Sequence, residues 1–179
     1  MMAGIDESKA FQCLNIAVLT ISDTRHFETD TSGALLADRL IAAGHKLQAR
    51  GIVRDDVHEI RSHLSGWIED PEIDIILTTG GTGLSPRDMT PEAIKPLFRR
   101  EMDGFAVLFH QVSFQTVGVS TLQSRAFAGQ AGDTFIFCMP GSPGACRDGW
   151  DHILALEFDS RYRPCSIVSH VARLGRQIA

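Results

Sequence analysis

No run of apolar residues in this sequence approaches the ~20 needed to cross a bilayer as a helix, so a membrane-spanning chain is not expected. Basic charge is also scarce, with 17 Lys and Arg against 22 Asp and Glu and a formal net charge of −5. That balance argues against general nucleic-acid binding, which needs a basic face. It leaves room for a small anionic ligand, because a site needs only local positive potential; Arg87, Arg99, Arg100 and Arg125 are the candidates to supply it. The four cysteines, Cys13, Cys138, Cys146 and Cys165, form no C-x-x-C pair, which excludes a zinc-ribbon or dithiol reading and suggests reduced thiols in a cytoplasmic protein. The seven histidines are dispersed, with His58 and His63 five apart instead of the four of H-E-x-x-H. A metal cage built by the protein alone is therefore not expected. The opening MMAGIDESKAFQC has no basic stretch followed by an apolar core. It reads as a frayed tail over residues 1–13, not as a secretory signal.

What is present is alternation. Asn15–Ser22, Lys46–Val53, Ile73–Thr79 and Thr134–Met139 are short, nearly continuous apolar runs, as expected of strands covered on both faces. A further strand is read at Ala126–Ala131. Between them lie helical patterns. Ser32–Ala43 stops at Gly44, and the segment after Asp56 carries Ile60, Leu64, Trp67 and Ile68 on one stripe. Thr90 is read as a cap with Pro91 at the first helical position. Phe105, Leu108, Phe109 and Val112 mark another stripe, Ser120–Arg125 a shorter helix and Arg147–Leu156 a last one. Strand and helix in turn, at a length suited to one core, predict a single three-layer α/β/α domain over residues 1–179 with a mainly parallel sheet.

In such a sheet, ligands bind beyond the carboxyl ends of the strands. Four segments end strands with polar or flexible residues: Thr20–Asp23, Asp55, Gly80–Gly83 and Pro140–Gly144. The glycine turn in "LTTGGTGLSPRDMTPEAI" fails the P-loop pattern for want of a Lys-Ser/Thr pair, and fails G-x-G-x-x-G because the last position is Pro86. Around Ser142 the order Pro-Gly-Ser-Pro-Gly is not a G-x-S-x-G elbow. Two readings of the glycines remain, a tight turn or a cradle of backbone N–H groups for phosphate. Asp88 reads either as a Mg²⁺ ligand beside phosphate or as a favourable charge at a helix start. Asp55 and Asp56 each read as a helix cap or a site residue. Cys138, inside TFIFCM, reads as core.

Several separated motifs, in order, resemble those of the MoaB/MogA family of molybdenum cofactor biosynthesis. They are "AVLTISDTR", "DTSGALLADRL", "IVRDDVHEIRSHLSGWI", "TTGGTGLSPRDMTPEAI", "TLQSRAFAG", "MPGSPGACRDGW" and the late "RPC", and the MoaB branch is the nearer of the two. The resemblance implies the molybdopterin-binding fold of that family, a homo-oligomer (trimer or hexamer), and molybdopterin as substrate. It further implies adenylylation of molybdopterin by Mg-ATP, with release of pyrophosphate. By the same resemblance Asp55 and Asp88 are the catalytic aspartates, with Asp88 holding Mg²⁺ together with the ATP phosphates. Ser22, Asp23, Gly80, Gly81, Thr82, Gly83, Ser113, Ser124, Arg125, Pro140, Gly141 and Ser142 are the expected substrate contacts. Other molybdenum cofactor biosynthesis proteins are expected as partners. The competing expectations are a non-catalytic molybdopterin binder for storage, delivery or regulation, and an α/β domain for another phosphate ligand such as flavin mononucleotide.

Overall fold

The computed structural model describes residues 3–176. Its strands are β1 (Gly4–Ile5), β2 (Asn15–Ile21), β3 (Lys46–Val53), β4 (Ile75–Thr79), β5 (Arg100–Glu101), β6 (Phe127–Ala131), β7 (Thr134–Met139) and β8 (Tyr162–Arg163). Its helices are α1 (Thr31–Ala42), α2 (Val57–Glu69), α3 (Thr90–Ile94), α4 (Asp103–Val117), α5 (Pro143–Gly149), α6 (Ala155–Glu157) and α7 (Ala172–Arg176). A 3₁₀ segment at Gly118–Gln123 extends α4, and a π-helical turn at Trp150–Leu154 joins α5 to α6.

Six strands form one sheet in the order β3-β2-β4-β7-β6-β5. The β3–β2, β2–β4 and β4–β7 pairs are parallel, while the β7–β6 and β6–β5 pairs are antiparallel. The sheet is therefore mainly parallel with an antiparallel edge. Side chains on successive strand residues point to opposite faces, and the sequence uses both. Ile16, Val18, Ile75, Leu77, Phe135 and Phe137 pack with residues of α1, α4 and α5. Ala17, Leu19, Ile21, Ile76, Ile136 and Cys138 pack with those of α2 and α3. Three layers result. Cys138 is fully buried, and burial pushes its thiol up to about 12.

The local signals work through named bonds. Gly44 takes φ +89° just past α1. The Asp56 carboxylate accepts the N–H groups of His58 (2.8 Å) and Glu59 (3.0 Å), capping α2. Several expectations need correction. Thr90 is not a cap: it lies inside α3, and its hydroxyl donates to the Gly80 carbonyl (2.8 Å). Leu108 points outward, 49% exposed, while Phe105 and Phe109 carry the core contacts of α4. The expected frayed tail is docked where described, since β1 pairs with β8 and the Gln12 N–H donates to Ser160 Oγ (2.9 Å). Residues 1 and 2 lie outside the described residues.

His45 is buried against Phe11 and Phe158, with Nδ1 accepting the Leu14 N–H. Burial pushes its pKa down to about 4, against the opposing charge of Asp159. The unfolded chain thus binds this proton more readily, so the contribution is whole above the ordinary histidine range near 6.5 and shrinks as pH falls toward 4. Urea melts at pH 7 and pH 4.5 are expected to differ by about 2 kcal/mol from this group. His45→Asn, whose amide oxygen can replace Nδ1, should flatten that difference.

Candidate functional site

After β2 the chain crosses to β3 at the sheet edge, then returns past β2 to β4 on the other side. Strand order reverses at β2 and β4, and a crevice opens beyond their carboxyl ends at such a point. Register aligns those ends: Ile21 pairs with Val53, Thr20 with Thr79, and Thr79 with Met139. The four segments Thr20–Asp23, Asp55, Gly80–Gly83 and Pro140–Gly144 consequently share one rim. They enclose a cavity of about 720 Å³.

The glycine turn explains itself at atomic distance. Gly80 has φ +110°, and a Cβ there would lie 2.1 Å from the Ile21 carbonyl oxygen. Gly81 has φ +63°, and its Cβ would lie 2.2 Å from Thr90 Oγ1 and 2.5 Å from an Asp55 oxygen. At Gly83 it would lie 2.7 Å from Asp88 Oδ2. Missing side chains here make room for the protein's own carboxylates and backbone. The turn's carbonyls are spent inward: Gly80 O on Thr90 Oγ1, Gly81 O on Thr90 N, Thr82 O on Arg125 N and Gly83 O on Arg125 Nε. The Gly80 N–H donates to Met139 O (3.0 Å), so it is not part of any cradle. Among the described residues the N–H groups of Gly81, Thr82 and Gly83 have no acceptor. Consecutive free N–H groups in a turn form an anion-binding concavity.

Three carboxylates face this turn. Asp55 Oδ1 accepts the Met89 N–H (2.9 Å), and Asp88 Oδ2 accepts the Ser85 N–H (2.8 Å). Asp23 Oδ1 accepts the Asp55 N–H (3.3 Å), and its Oδ2 is ion-paired with Arg87. Burial raises the Asp55 carboxyl above its ordinary value, and the charges of Asp88, Asp23 and Glu92 push the same way. A cation or a set of N–H donors entering here would stabilise the ionised form. Asp56 is spent on its helix, so the two adjacent aspartates divide into one cap and one cavity residue.

The remaining expected residues fall as follows. Ser22, Ser113, Ser124, Pro140, Gly141 and Ser142 all line the cavity. Ser22 Oγ also accepts the N–H groups of Thr24 and Arg25, and Ser142 Oγ caps α5 through Ala145 N (3.2 Å). Arg125 does not line the cavity. Its guanidinium binds the Gly83 carbonyl (2.8 Å), the Asp88 carbonyl (2.6 Å) and Glu92, bracing the glycine turn from behind. Arg99 and Arg100 sit at the β5 edge, away from the crevice. The cations that line it are Arg25, Arg87 and Arg147.

Other residues of the site escaped the sequence reading. Asp30 is buried, caps α1 through Gly33 N (2.9 Å), accepts Thr20 Oγ1 (2.8 Å) and pairs with Arg50 (2.9 Å). Thr116 and Asp148 line the cavity and bond each other (2.6 Å). Ser113 and Thr116 are three apart on α4, a helical spacing that would have put both on one face.

Fold, switch-point crevice and free amides define a doubly wound α/β domain with a ready anion site. Residues 17–158 match the family model described as "Probable molybdopterin binding domain". The chain is 46% identical over 166 residues to molybdenum cofactor biosynthesis protein B of Escherichia coli (strain K12), covering 93% of this chain and 98% of that protein. A counterpart from Bacillus cereus is 44% identical over 131 residues, or 73% of this chain and 78% of the relative. A crystal structure of a molybdenum cofactor biosynthesis protein B superposes with a TM-score of 0.83 at 36% identity, covering 94% of this chain and 100% of the other. The tungsten cofactor synthesizing protein MoaB of Pyrococcus furiosus gives 0.74 at 31% identity, with 93% and 99% covered. The chain belongs to the molybdopterin-binding domain family of molybdenum cofactor biosynthesis proteins.

Proposed function

We propose that this chain transfers the adenylyl group of ATP to molybdopterin. The phosphate oxygen of molybdopterin attacks the α-phosphorus of ATP; a new P–O–P link forms, the α–β link breaks, and pyrophosphate leaves with its electron pair. The observation that carries this reading is the convergence of the free N–H groups of Gly81, Thr82 and Gly83 with the Asp55 and Asp88 carboxylates on one crevice. Two anions must approach each other, so positioning and charge neutralisation dominate the barrier. The three amides are set to hold a phosphate group, and Arg87 and Arg25 add positive potential at the rim.

Asp55 and Asp88 each retain one carboxylate oxygen not engaged by a backbone N–H, and hard oxygen donors of this kind suit Mg²⁺. Asp88, with Asp55 beside it, would hold the ion that ATP brings; the ion supplies neutralisation of phosphate charge. No group of three His, Cys, Asp or Glu among the described residues can hold a metal by itself. Phosphate oxygens would have to complete the coordination. That same sparse donor set is what favours the second reading, a molybdopterin binder without chemistry. The two part on one assay: pyrophosphate release from Mg-ATP that requires molybdopterin is expected, and binding of molybdopterin with no release would leave only the binder. Cytoplasmic residence belongs to the same proposal, supported by four free cysteines.

Self-association is also proposed. From Gly104 to Ser124 the chain carries no Asp, Glu, Lys or Arg. Val107, Leu108, Phe114, Val117, Val119 and Leu122 in that stretch are 49–79% exposed. An apolar face without charge is compatible with a second copy of itself. Light scattering is expected to give a trimer or hexamer for the wild type, and Phe114→Asp with Leu122→Asp should shift it toward monomer. A wild-type monomer at micromolar concentration would contradict this.

A further inference from the structure

Two of the deeply buried carboxylates, Asp30 and Asp74, are each paired with a guanidinium, of Arg50 and Arg173. Asp148 breaks that habit. It is 9% exposed, yet no ion pair reaches it among the described residues. Its Oδ2 accepts the Thr116 hydroxyl (2.6 Å), and its other oxygen has no hydrogen bond among the described residues. Asp148 lines the cavity on the wall built by α4, the 3₁₀ segment and α5, with Ser113, Thr116, Ser120 and Thr121 as neighbours there. A carboxylate oxygen that no described protein group engages keeps its lone pairs for a donor that a ligand brings. That oxygen of Asp148 is not sealed among protein atoms; it opens on the cavity, where a ligand's donor can take the place of solvent.

We infer that Asp148 reads the amino-pyrimidinone edge of the pterin, a specificity role that rests on the molybdopterin reading above. That edge presents a ring N–H and an exocyclic NH₂ side by side, two parallel donors that match the two oxygens of a carboxylate. Oδ2 can accept a ligand N–H as well as Thr116, since each oxygen carries two lone pairs. Adenine offers a donor beside an acceptor on the comparable edge, and a carboxylate cannot satisfy that pair. Asp148 thereby sorts the two heterocycles: pterin on the wall of α4 and α5, nucleotide phosphates at the glycine turn. Asp55, Asp88 and Asp23 face that turn instead, and Asp30 is consumed by Thr20, Gly33 and Arg50.

The test uses the full chain and two fluorescent probes, pterin and lumazine, which differ in the 2-amino group. Wild type is expected to bind pterin about 10- to 100-fold more tightly than lumazine, the size of a lost hydrogen bond to a charged group. Asp148→Asn should weaken pterin by a similar factor, abolish or reverse its preference over lumazine, whose ring N–H and 2-oxo group match the Asn amide, leave Mg-ATP affinity unchanged and raise KM for molybdopterin. Equal wild-type affinity for the two probes overturns the inference without recourse to any variant. Equal pterin affinity in Asp148→Asn overturns it too, with adenylyl transfer untouched. If wild type neither binds pterin nor forms adenylyl-molybdopterin, the functional reading fails first and the inference falls with it.

Discussion

Asp88→Ala is expected to lower formation of adenylyl-molybdopterin by at least ~100-fold, the scale of losing one preorganised electrostatic group. The carboxylate sits beside Gly83, so close that a Cβ there would meet it at 2.7 Å. It also ties down the Ser85 N–H. Removing it deletes a donor for the cation and loosens the Ser85–Met89 loop, so Asp88→Asn is the better-controlled partner. The amide keeps an oxygen for Ser85 while losing the charge. Both variants should keep pterin affinity within a few-fold, because the proposed pterin wall lies on α4 and α5. Turnover near wild type in Asp88→Ala would remove Asp88 from the mechanism.

Gly80→Ala is expected to cost about 3 kcal/mol of stability, from a side chain forced to positive φ and against backbone. The obstacle is the Ile21 carbonyl oxygen, 2.1 Å from the would-be Cβ. It belongs to a central strand and cannot swing away as a side-chain tip could. Relief would have to come from separating β2 and β4, which the ladder ending at Thr20–Thr79 opposes. For a chain of this size the loss should read as a fall in Tm of about 6–12 °C. A Tm within 2 °C of wild type would show that the turn can relax and that these contacts are not tight.

Much of the architecture was legible because it depends on local pattern. Lys46–Val53 has the same bounds in sequence and structure, and Asp56 and the Ile60–Leu64 stripe form the capped helix expected of them. What escaped depends on who arrives from elsewhere in the chain. Thr90 has the chemistry of a cap, but Gly80 O lies within reach and takes its hydroxyl. Arg125 has the chemistry of an anion contact, but three acceptors behind the glycine turn engage it first. The glycines read in sequence as either a tight turn or a cradle of backbone N–H groups, and the structure makes them both. They are space for Asp55, Asp88 and Ile21, while the free N–H groups, not the vacancies, make the cradle. Asp148 gave no signal at all, since its interest lies in a missing partner, and spacing cannot show that.

The central claim is that the crevice joins two substrates instead of holding one. It is tested most directly by incubating the purified chain with molybdopterin, Mg²⁺ and ATP labelled at the α-phosphorus. The account predicts adenylyl-molybdopterin carrying the label, formed in step with pyrophosphate and lost in Asp88→Ala. Tight binding of molybdopterin with the label remaining entirely in ATP would contradict it.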